Sequence, residues 1–99
     1  MKLDEVLEFA FLLSVYEKLL PPQQAEVLRL YYFDNIGLTE QAELKGITKQ
    51  AIKDSLTKGE KALRSFEEKL GLAKIIEKAK NALPKKQFDD IFEKEEGGV

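Results

Sequence analysis

Cysteine and histidine are both missing from this 99-residue chain. Without cysteine there is no disulfide and no thiolate metal site. Without histidine the chain lacks the commonest general base, the commonest metal ligand and any triad of the serine–histidine kind. Long apolar runs are absent too: no stretch approaches the roughly 18–20 residues that a membrane span needs. Nor does one sign of charge dominate, since 16 basic side chains stand against 18 acidic ones, a net charge of −2. Domains that bind nucleic acid ordinarily carry a basic surface. The first residues, Met1-Lys2-Leu3-Asp4-Glu5, turn acidic at once and show no cleavable signal pattern. These absences lead us to expect a cytoplasmic protein with no membrane span, no cofactor, no metal and no catalytic residue, hence not an enzyme.

What is present is a foldable, helix-forming composition, 43% hydrophobic and 34% charged. The length predicts a single helical domain over residues 1–99. Asp4 to Leu20 reads as a first helix, with acid near its start, where the helix dipole favours it. Its middle, Phe9-Ala10-Phe11-Leu12-Leu13, is apolar nearly all round, as in a central helix packed on more than one side. Pro21-Pro22 breaks the chain, and a second helix should begin around Pro22 or Gln23. Val27, Leu28, Leu30, Tyr31 and Phe33 give that helix its apolar face, and it should end near Asp34-Asn35. Leu38-Thr39-Glu40 opens a short third helix, with Thr39 as N-cap and Leu38 as hydrophobic staple. Lys45-Gly46 stops it. Thr48 then caps a long fourth helix, in which Ile52, Leu56, Gly59, Leu63, Phe66 and Leu70 recur every three or four residues. Gly59 marks a close approach or a bend. Gly71 ends this helix, Leu72 to Leu83 forms a fifth, and Pro84 opens a last short one carrying Phe88, Ile91 and Phe92. The end at about 93–99 is expected to fray.

Residues 38–58 carry the most specific pattern. Two helices joined by a three- to four-residue turn containing glycine make a helix-turn-helix. Here Gly46 makes the turn, Ala42 is small where the helices meet, Ile47 is placed to plug the angle, and Ile52 and Leu56 face inward. Thr48, Lys49, Gln50, Lys53, Asp54, Thr57 and Lys58 then face outward. In such motifs the early residues of the second helix meet base edges in the major groove. Gln50 suits adenine, and Lys49 or Lys53 suits guanine or a phosphate. Thr39 and Thr48, at helix starts, offer hydroxyl and N–H groups to phosphates. Charge supports the placement: residues 48–64 hold five basic side chains against two acidic ones, the one basic segment of the chain. The acidic pairs Asp4-Glu5, Glu67-Glu68, Asp89-Asp90 and Glu95-Glu96 are neighbours pointing different ways on a helix, and read as solvated faces.

The run Leu19-Leu20-x-x-Gln23-Gln24, then Leu30-Tyr31-Tyr32-x-Asp34-Asn35, then Leu38-Thr39-Glu40-x-Ala42-Glu43 resembles the YlxM-like family of bacterial proteins. So does Gly46-Ile47-Thr48-Lys49-Gln50-Ala51-Ile52-x-Asp54, continued by Glu60-Lys61-x-Leu63 and Phe66-Glu67-Glu68-Lys69-Leu70-Gly71-Leu72. The likeness spans roughly residues 6–72. More distantly, Leu38–Leu63 is similar to region 4 of sigma factors. The resemblance implies an all-α fold, a DNA-binding role, a link to the signal recognition particle pathway, and no catalysis. Three residues depart from the family pattern: Gln41 where a large aliphatic residue is usual, Lys45 where an aromatic or leucine is common, and Gly59 where threonine is frequent. An unpartnered buried polar group costs about 1–3 kcal/mol. We therefore expect either that Gln41 and Lys45 reach solvent or that the first motif helix is rotated.

Two functions follow as expectations. One is a helix-turn-helix regulator of double-stranded DNA linked to the signal recognition particle pathway. The alternative is an accessory protein that does not bind DNA and instead binds the protein or RNA of that particle. The stripe from Ile52 to Leu70 runs for nearly three heptads, so a homodimer stands beside intramolecular packing as its use.

Overall fold

A computed structural model describes residues 2–82. The expected helix at Phe88, Ile91 and Phe92 and the frayed end at 93–99 lie outside the described residues. Within them the chain forms α1 (Leu3–Tyr16), a 3-10 turn (Glu17–Leu19), α2 (Pro22–Tyr32), α3 (Leu38–Lys45), α4 (Lys49–Leu70) and α5 (Leu72–Ala82). No strand occurs among them. This is the all-α bundle the sequence predicts.

Local chemistry accounts for most boundaries. Asp4 and Glu5 occupy the first turn of α1. Leu20 is extended ahead of Pro21, as a residue before proline must be. Pro22 opens α2, where its missing N–H removes no helical hydrogen bond. At the far end of α2, Asn35 takes the left-handed conformation at φ 57°. Gly46, at φ 67°, closes α3 with its N–H on the Ala42 and Glu43 carbonyls. Thr48 caps α4 as expected, its hydroxyl oxygen accepting from the Ala51 N–H at 3.1 Å. Such a cap contributes about 1 kcal/mol. Thr39 does not cap α3. The cap falls two residues earlier than predicted, so Gly37 holds that position with no side-chain bond and Thr39 lies inside the first turn.

The fourth helix is the hub, packing against α1, α2, α3 and α5. Its buried residues are Ile52, Leu56, Gly59 and Leu63. They meet Phe9, Leu12, Leu13 and Tyr16 of α1, Val27 and Leu28 of α2, and Ala42 of α3 in one core. The stripe is therefore spent within the chain. It stops short of Leu70, which is exposed, and Ile47 is exposed rather than plugged into the motif angle. Gly59 marks a close approach: a Cβ there would lie 2.5 Å from Leu28 Cδ1. The first helix packs on α2, α4 and α5, yet Leu3, Leu7 and Phe11, spaced every four residues, stay exposed.

Gln41 does not reach solvent. It is fully buried, and its Nε2 donates to the carbonyls of Val27 (3.2 Å) and Ile36 (3.1 Å). Its Oε1 has no partner among the described residues. Lys45, half-buried, reaches Glu26 at 2.6 Å. That contact is the first reason the Glu26 carboxyl is held below its ordinary range. Glu67 also departs from expectation: it is not a solvated acid but the anchor of α5. Its Oε1 accepts from the Tyr16 hydroxyl (2.6 Å) and the Ala73 N–H (3.0 Å), and its Oε2 from the Lys74 N–H (3.2 Å).

Candidate nucleic-acid interface

The second helix of the motif is presented by two constraints already described. Gly46 and the Thr48 cap set the direction in which α4 leaves the turn, and the buried stripe sets its rotation. At 3.6 residues per turn, Gln50, Asp54, Thr57 and Lys61 then run along the crest opposite that stripe. Lys49 and Lys53 flank the crest on one side and Lys58 on the other. Thr48, Lys49, Gln50, Lys53, Asp54, Thr57, Lys58 and Lys61 are all exposed. Thr39 is exposed as well, but on α3, apart from this row. Lys61 was not singled out from sequence, although its spacing of seven from Asp54 places it on the same crest.

The electrostatics of the face are simpler than the local sequence. Glu60 is drawn toward the body, where its carboxylate accepts from the Tyr32 hydroxyl. Burial first, then that hydrogen bond, pushes the Tyr32 phenol above its ordinary range. Arg64 lies over the Phe9 ring, 4.7 Å from its centre. The outward face is left with four lysines and one acid, Asp54. That acid is engaged on the helix itself: Gln50 Nε2 donates to Asp54 Oδ1 at 2.8 Å, one turn away. The Thr48 oxygen already accepts from Ala51, so toward a phosphate its hydroxyl acts as a donor.

The other perturbed groups serve packing. Burial chiefly, and the Glu67 hydrogen bond next, raise the Tyr16 phenol. Burial pushes Glu67 upward, but hydrogen bonds from Tyr16, Ala73 and Lys74 outweigh it and hold the carboxyl below its ordinary range. Glu67 and Glu8 line a hollow of about 490 Å³ between α1 and α5, but both Glu67 oxygens are already occupied as acceptors. Among the described residues no group of three or more acids is placed to hold a metal, and no helix is long and apolar enough to cross a membrane.

Two helices joined through Gly46-Ile47-Thr48, the second seated on a core and showing a polar outer face, define a helix-turn-helix protein. Comparison with known sequences narrows the class. The chain belongs to the UPF0122 family, described as "Putative helix-turn-helix protein, YlxM / p13 like", whose profile matches residues 3–96. A UPF0122 protein of Thermoanaerobacter sp. is 37% identical over 94 residues, covering 93% of this chain and 80% of its own length. Another, from Exiguobacterium sibiricum, is 36% identical over 90 residues, covering 90% of this chain and 85% of its own. One from Clostridium acetobutylicum is 41% identical over 78 residues. The family match therefore runs past residue 72, where the likeness read from motifs alone stops, and takes in α5. No solved structure matches this chain.

Proposed function

We propose that this protein is a regulator that binds double-stranded DNA with the outer face of α4. The observation that carries the reading is the sorting of charge on that helix. Glu60 and Arg64 are turned onto the body, while Lys49, Lys53, Lys58 and Lys61 are left outward. A helix face about 16 Å long from Gln50 to Lys61 exceeds the roughly 12 Å width of the major groove. Its first two turns, Thr48 to Asp54, enter the groove, while Thr57, Lys58 and Lys61 meet the backbone, with Thr39 at the edge of the footprint. The protein acts in the cytoplasm, and its regulatory target lies in the signal recognition particle pathway.

A second reading, binding to the protein or RNA of that particle, draws on the exposed apolar row Leu3, Leu7 and Phe11 of α1, which DNA does not need. Fluorescence anisotropy with random duplex DNA and with the particle's RNA–protein core separates the two. Under the first reading the wild type binds duplex, and the triple variant K49A/Q50A/K53A loses at least tenfold in affinity while keeping its helical circular dichroism. Equal binding by the variant removes α4 as the interface, and binding to the particle core alone favours the second reading.

A further inference from the structure

Gln50 and Asp54 stand one turn apart on the crest of α4, and the amide nitrogen of the first donates to Oδ1 of the second at 2.8 Å. Both are exposed, so packing orients neither of them. An ionised carboxylate only accepts hydrogen bonds. The end of the Gln50 amide that turns toward Asp54 is therefore Nε2 and not Oε1. That choice leaves one amide hydrogen and Oε1 for an outside partner. A carboxamide has one nitrogen hydrogen beside its oxygen and one directed away from it. When the distant hydrogen is the one given to Asp54, the near hydrogen and Oε1 remain side by side.

Such a pair, one donor and one acceptor held together, is the complement of the major-groove edge of adenine, whose N7 accepts and whose N6–H donates. Guanine offers two acceptors there, O6 and N7, which Gln50 cannot satisfy while its second hydrogen is engaged. We infer that Asp54 is a positioning residue that holds the Gln50 carboxamide for adenine, and this rests on the DNA-binding reading of the α4 face. Asp54 need touch no base to do so. Its charge opposes phosphates generally, and the flanking Lys49 and Lys53 offset that cost. The residue thus trades general affinity for choice of base.

Selection from a randomised duplex library, read by sequencing, tests this with the wild type, D54A, D54N and Q50A, each checked by circular dichroism. Wild type is expected to favour adenine over other bases at one position by about tenfold or more. D54A should bind random duplex at least as tightly, since a negative charge is gone, while its adenine preference falls to about two- or threefold. D54N offers a donor as well as an acceptor, so it no longer fixes which end of the Gln50 amide faces it, and its preference should fall with that of D54A. Q50A should lose the preference. Full preference in D54A overturns the inference. Full preference in D54N also overturns it, because an acceptor-only partner would then not be what orients the amide. If the wild type binds no duplex at all, the reading of the face fails and the inference fails with it, an outcome distinct from the other two.

Discussion

At the level of single residues, Gly59 and Gln41 explain how a helix-turn-helix is seated on this core. A side chain on Gly59 would meet Leu28 at 2.5 Å, and Leu28 is itself fully buried with no room to retreat. Alanine ordinarily stabilises a helix interior by about 1 kcal/mol over glycine, yet overpacking costs about 1–3 kcal/mol. Gly59→Ala should therefore lose about 1 kcal/mol in urea denaturation, where an ordinary helical site would gain. The apolar spacing made Gly59 legible as a contact point, because that spacing fixes which face of α4 turns inward. Gln41 was not legible. Its partners are carbonyls of Val27 and Ile36, and their position depends on the left-handed turn at Asn35, which no periodicity encodes. Thr48 and Thr39 divide along the same line. The first caps its helix because Gly46 forces the chain to restart there; the second matched a capping pattern, but the helix already begins at Leu38, with Gly37 as its cap.

Among the described helices, α5, like α3, buries a single apolar residue. Ala73 is its only buried residue, and its start is fastened by Glu67 and by the Tyr16 hydroxyl, which accepts from the Leu72 N–H at 3.0 Å. Adjacent acids on a helix look solvated in sequence, and only the fold brings Glu67 over the first turn of the next helix. The Glu67 carboxyl sits lower in the folded chain than in the unfolded one. Its contribution is therefore complete above the ordinary glutamate range and is lost as pH falls through that range to the folded value. Acidification should lower the exchange protection factors at Leu72, Ala73 and Lys74 before those of the core fall. Glu67→Gln should flatten that dependence, with fast exchange already at neutral pH. Tyr16→Phe, which removes a hydrogen bond to a charged group, should cost about 1.5–3 kcal/mol. Unchanged exchange at these three amides in E67Q would show that packing alone holds α5.

Over the whole molecule, a net charge of −2 and the proposed DNA-binding face are compatible because charge is sorted and not because it is abundant. Acids are taken up by partners on the body: Glu17 by Arg29, Glu26 by Lys45, Glu60 by Tyr32 and Glu67 by Tyr16. The lysines of α4 stay outward. The helical class, the element order and the motif were readable from spacing and turn chemistry. The sorting of charge was not, because it depends on which acids face the body once α1, α2 and α4 have packed. The most direct test is the salt dependence of duplex binding, measured by anisotropy between 50 and 200 mM salt for the wild type and K58A/K61A, the two lysines placed against the backbone. Each phosphate contact adds about 0.9 to the slope of log affinity against log salt. The account predicts a steep negative slope for the wild type and one shallower by about two in the double variant. Binding whose slope is the same in both proteins would contradict it, as would the absence of duplex binding.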